Sequence, residues 1–154
     1  MRILCAIGTR RGRDVVQQAA AIARTGDEIV LMHVIDTGPR HDLDRLRGPL
    51  HPHHEHREEL DAAEEEAGTA MLKEALEEAG RLGLAARERL ERGRPEQVVV
   101  ALAQDLRAQL IVLYARESPH GHPRVGPPSV GHTARFVLDH SPINVLLLRE
   151  SSEA

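Results

Sequence analysis

Aromatic side chains are almost missing from this chain: no tryptophan occurs, and Tyr114 and Phe136 are the whole complement in 154 residues. Neither a ladder of stacked bases nor an aromatic cage around a cationic ligand can be built from two rings, so the interior must be aliphatic. Cysteine is reduced to Cys5, which has no partner for an internal disulfide. Its place in Ile3-Leu4-Cys5-Ala6-Ile7 predicts a small hydrophobe inside a strand rather than a redox thiolate. Charge of one sign is also lacking. The formal net charge is −4 from 24 acidic and 20 basic residues, so no field of the whole chain draws it to nucleic acid or to an anionic membrane. No stretch approaches the roughly 18 apolar residues that span a bilayer, and the amino end carries nothing like a cleaved leader. A cytoplasmic protein is expected. Gly-x-x-x-x-Gly-Lys-Ser/Thr, Gly-x-Gly-x-x-Gly and Gly-x-Ser-x-Gly do not occur at a strand-to-helix junction, which removes the usual kinase, dinucleotide and hydrolase readings.

The 154 residues suit one buried core, read as a single domain over 1–150 with a short tail at 151–154. Arg2–Ile7 is a short apolar run ended by Gly8, and Glu28–Ile35 is longer and β-branched; both predict strands buried on two faces. Between them, Val15, Val16, Ala19, Ile22 and Ala23 share one helical face, with Thr25-Gly26 as the stop. From about 37 to 57 prolines, charges and the run HPHHEH sustain neither period, which predicts a long, mobile excursion. Leu60, Ala63, Ala67, Met71, Ala75 and Ala79 then keep helical spacing up to Gly80, and the run Glu64-Glu65-Glu66 falls on the solvated side of that helix. Ala85–Glu91 is polar enough to be an edge strand. Pro95 opens a helix that buries Val99, Leu102 and Leu106, although Val98-Val99-Val100 alone would suggest a strand. Leu110–Tyr114 is a fourth strand, 130–140 a last helix, and Asn144–Arg149 a fifth strand.

Strands that alternate with helices of this length imply an α/β fold: a doubly wound, five-stranded parallel sheet, Rossmann-like, with helices on both faces. Ligands of such sheets sit beyond the carboxyl ends of the strands where strand order reverses. The loops after Ile7, Ile35 and Tyr114 are therefore where a site is expected.

The blocks MRILCAIGT, EIVLMHVID, GRPEQVV, QLIVLYARES and GHTARFVLDHSPINVLLLR resemble the universal stress protein family over nearly the whole length. The last block carries most of the likeness: a glycine opening a short helix, Val137-Leu138, His140, Pro142 and a terminal apolar strand. The resemblance implies an adenine nucleotide alpha hydrolase-like fold and a regulatory stress-response protein, dimeric and without catalytic residues. Nucleotide-binding members carry Gly, two residues, Gly, nine residues, then Gly and Ser or Thr. Glycine lets the backbone approach phosphate oxygens, and helix amino-end amides receive their charge. Here Gly121 and Gly131 keep the nine-residue separation, whereas Ser118 stands at the first glycine and His132 at the hydroxyl, with Thr133 one step later. Gly8, followed by Thr9, aligns with the aspartate that usually contacts the nucleoside, and Val34 with the position whose backbone lies beside the adenine. Arg116 and Arg124 bring charge to the same loop. These departures predict weak or absent binding of ATP with Mg. The alternative is a sensor that still holds an adenine nucleotide through Gly121, Gly131, His132 and Thr133.

Two histidine groups stand out. His51, His53, His54 and His56 are candidate ligands for Zn, Ni or Cu, against which stands a merely solvated run without a metal-specific spacing. His120, His122 and His132 lie near the expected site, and His132 at a helix amino end would meet a phosphate or a carboxylate directly. His33, inside a strand, reads as a satisfied core residue, and His140 as part of the turn into Ser141-Pro142. Finally, the apolar Val145–Leu148 at a sheet edge predicts a homodimer in which this strand meets its twin across a two-fold axis.

Overall fold

The computed structural model describes residues 1–39, 54–115 and 129–149, with 54–57 described by their backbone alone. Five strands form one sheet: β1 (Arg2–Ala6), β2 (Glu28–Asp36), β3 (Ala85–Gly93), β4 (Leu110–Tyr114) and β5 (Asn144–Leu148). Four helices alternate with them: α1 (Gly12–Ile22), α2 (His54–Arg81), α3 (Pro95–Asp105) and α4 (His132–His140). All four strand pairs are parallel and the order is β3-β2-β1-β4-β5. The polar β3 lies at one edge, as its composition predicts, and β5 at the other.

The two-faced burial of the inner strands follows from their alternation. Ile3, Cys5, Ile7, Ile29 and Leu31 turn to one side and pack with Val15, Val16 and Ala19 of α1 and Leu72, Ala75 and Ala79 of α2. Leu4, Val30, Met32, Ile111 and Leu113 turn to the other, against Val99, Leu102 and Ala103 of α3 and Ala134 and Val137 of α4. Burial drives the Cys5 thiol up to about 12, so it packs as a hydrophobe and offers no thiolate near neutrality. The helical valine triplet is settled by Pro95 at the first turn and by this buried face.

Three details differ from the sequence reading. Ile22, expected on the buried face of α1, is exposed at the last residue of that helix. Helix α2 begins at His54, inside the expected excursion, and its 28 residues span about 42 Å. That exceeds any strand here, so Leu60, Ala63 and Ala67 of the expected apolar face are exposed, and the packed face comprises Gly68, Leu72, Ala75 and Ala79. Leu106, expected inside, is half-buried at the end of α3, where Ala103 completes the contact instead. The rest of the 37–57 excursion from residue 40 lies outside the described residues.

Candidate functional site

In this strand order the chain leaves β1 toward β2 on one side and reaches β4 on the other, so the reversal falls between β1 and β4. Their carboxyl ends bring together Ile7, Gly8 and the turn into α1 with Tyr114. The end of β1 is held from two sides: the Ile7 amide donates to the Met32 carbonyl at 2.7 Å, and the Ile7 carbonyl accepts from His33 Nδ1 at 2.7 Å. A carbonyl can only accept, so the ring proton sits on Nδ1. His33 is thus a satisfied structural residue, as expected.

Gly8 and Thr9 are both exposed beside this end. A Cβ built on Gly8 meets no atom within 4 Å, so the absence of a side chain there leaves open space rather than preventing a clash. Next to it stands a pair the sequence reading did not single out. Arg11 takes a left-handed backbone, φ 58°, as the N-cap of α1, and its guanidinium lies 5.4 Å from the centre of the Tyr114 ring. Arg11 Nη1 donates to the Tyr114 hydroxyl at 3.3 Å and reaches Asp14 Oδ2 at the same distance; the hydroxyl in turn donates to the Arg149 carbonyl at 3.3 Å. The pair links the turn after β1 to the end of β4, at the strand-order reversal where ligands of such sheets sit. The run Arg10-Arg11-Gly12-Arg13 was the available signal, but only the fold brings it to Tyr114.

At the head of α4, Gly131 takes φ 87°, a conformation that favours glycine, and as the N-cap it offers no side chain to the first turn. The Gly131 amide donates to Ser129 Oγ at 3.3 Å. This leaves a helix amino end of the kind that receives anions. His132 opens the helix and its Nε2 lies 3.3 Å from Glu96 Oε1, in the first turn of α3. A carboxylate of the chain itself thus stands at His132, where its charge opposes an arriving anion. Thr133 is half-buried one residue on, and Val34 is half-buried in β2 opposite Glu91 of β3. His140 ends α4 with its ring 4.3 Å from that of Phe136.

Ser118 and Gly121, together with Arg116, Arg124, His120 and His122, lie outside the described residues, as do His51 and His53 and the side chains of His54 and His56. Gly8 and Thr9 thus lie near the Arg11–Tyr114 pair at the end of β1, and Gly131, His132 and Thr133 lie with Glu96 at the first turn of α4; Arg11, Tyr114 and Glu96 were not foreseen. Among the described residues no helix is long and apolar enough to cross a membrane.

The universal stress protein family model matches residues 1–149. No curated protein matches the sequence. Solved structures share the architecture. Universal stress protein UspA from Lactobacillus plantarum is 22% identical, covers 97% of this chain and 97% of its own, and superposes with a TM-score of 0.69. The Archaeoglobus fulgidus universal stress protein in complex with dAMP is 20% identical, with 96% of each chain covered and a TM-score of 0.65. A universal stress protein family member from Arabidopsis thaliana with AMP bound is 12% identical over 99% of this chain and 94% of its own, at a TM-score of 0.65. A match over almost every residue, joined to the five-stranded parallel order, shows that the chain belongs to the universal stress protein family.

Proposed function

We propose that this chain is a cytoplasmic stress-response regulator that acts as a dimer and holds adenine nucleotide weakly or not at all. The observation that carries the reading is the Arg11–Tyr114 stack across the switch point, beside a Gly8 that offers no carboxylate to a nucleoside. A nucleotide entering there has to displace a guanidinium from an aromatic face and from Asp14. The dimer is supported by β5, a sheet edge on which Val145, Leu146 and Leu147 are only half-buried. Replacing Leu147 by proline is expected to halve the mass in light scattering while the far-ultraviolet dichroism is kept.

A second reading, a nucleotide sensor, is favoured by one feature: the glycine-capped amino end of α4. Relatives with AMP or dAMP bound make an adenine nucleotide the ligand to try. Calorimetric titration of metal-stripped protein with ATP and Mg separates the two readings, using the wild type and Gly131→Val. Absence of heat up to millimolar nucleotide supports the regulator. Micromolar binding abolished in the variant replaces it by the sensor.

A further inference from the structure

The outer edge of β3 is nine residues long, against five for β5, and among the described residues no strand pairs with its outer side. Its side chains alternate between the faces of the sheet. Arg87, Arg89 and Glu91 share one face, while Ala86, Glu88, Leu90 and Arg92 share the other, where Leu90 packs with the α2 side of the core. Most of these charges are exposed, and the tips of Arg89 and Glu91 meet at 2.7 Å along their own strand.

The order of these charges has a property that a merely solvated edge does not need. A second copy of β3, set antiparallel about a two-fold axis perpendicular to the sheet and centred on Leu90, brings Arg89 opposite Glu91 of the partner subunit. The same rotation sets Glu88 opposite Arg92 of the partner subunit, and Leu90 meets its own copy. Opposite signs fall together at every charged pair flanking the centre, and each occurs twice by symmetry. A shift of two residues either way sets Arg89 or Glu91 against its own copy, a like-charge contact that the Leu90-centred register lacks, although Arg87 then faces Glu91 of the partner subunit in the one case and Glu88 faces Arg94 of the partner subunit in the other. Charges on an edge ordinarily discourage pairing; here, among registers centred on residues 87–92, only the Leu90-centred one sets no like charges opposite each other. We infer that the β3 edge is a second self-contact, through which two copies of this chain pair in the Leu90-centred register and join their sheets. The contact is independent of β5, so copies paired at one edge remain free to pair at the other.

The test exploits the reciprocity of the pairs. Glu91→Arg makes the four residues flanking the centre all positive, and Arg89→Glu makes them all negative. Sedimentation velocity of the full chain at low salt is expected to show association of the wild type beyond the dimer. Either variant alone should lose that step, with a weakening on the order of tenfold or more. An equimolar mixture of the two variants should regain it, since each supplies the charge the other lacks. Loss of the Arg89–Glu91 pair within one chain cannot produce that rescue. Both substitutions lie on an exposed edge, and unchanged thermal unfolding shows that the fold survives them. A wild type that never exceeds a dimer that Leu147→Pro converts to monomer overturns the inference, and so does a mixture that stays as dissociated as its components.

Discussion

The carbonyl oxygen of Ile7 and the imidazole Nδ1 of His33, one strand away, stand 2.7 Å apart. The bond fixes the last turn of chain before the switch point, and a glycine on a third element makes room for it. A Cβ on Gly68 of α2 would lie 2.8 Å from His33 Cδ2 and 3.1 Å from Leu90 Cδ1.

Gly68→Ala is therefore expected to destabilise the fold even though alanine is the better helix former by about 1 kcal/mol. Displacement of His33 should outweigh that gain and leave a net loss of roughly 1–2 kcal/mol in urea unfolding. In the background of His33→Ala the same change should turn neutral or stabilising, because the ring it strikes is gone. Equal effects in both backgrounds would rule out the steric account.

Open space at Gly8 makes a gain-of-function experiment possible. Gly8→Asp meets no atom within 4 Å of its Cβ and places a carboxylate at the end of β1. Calorimetry should show AMP or ATP binding tightened on the order of tenfold, with Gly8→Ala as the neutral control. Identical titrations for both variants would mean that the missing carboxylate is not what weakens the site.

Arg107 tests the backbone alone. It follows α3 with φ 51°, while the Ala108 amide bonds the Ala103 carbonyl and the Arg107 amide that of Gln104, the closing pattern for which glycine is suited. Arg107→Gly should raise stability by about 1 kcal/mol in chemical denaturation. A lower midpoint would show that the side chain contributes more than the strain removes.

Glu28 links three strands, accepting from Arg2 Nε and from Arg87 Nε at 2.7 Å each. The hydrogen bond from Arg2 holds its carboxyl below the ordinary range, against the opposing effect of burial and helped by the charges of Arg2 and Arg87. A carboxyl that is more acidic in the folded state stabilises above its unfolded value, and that contribution fades as pH falls through the lowered one. The denaturation midpoint of Glu28→Gln should accordingly change less between neutrality and about pH 3 than that of the wild type.

How much of this was legible in sequence depended on the distance over which each signal acts. The inner strands announced themselves as unbroken apolar runs because helices cover both faces, and Pro95 overruled a valine triplet by a local rule. Gly131 at the head of α4 was readable for the same reason. Arg11 was not. Its contact with Tyr114 joins residues 103 apart and exists only because β1 and β4 are neighbours and the turn between β1 and α1 goes left-handed. Glu96, 36 residues from His132, reaches it because the first turns of α3 and α4 adjoin on one face. The surplus length of α2 escaped notice because a period of 3.6 reveals a helix but not how far the neighbouring strands run alongside it.

Tyr114 has one more consequence. With no tryptophan in the chain and no second tyrosine, the near-ultraviolet emission of the whole protein comes essentially from one ring, and that ring lies under Arg11 at the mouth of the switch point. The molecule carries an unlabelled fluorophore at the place where a ligand would enter, so any compound that lifts the guanidinium from the ring reports its own arrival as a change in light.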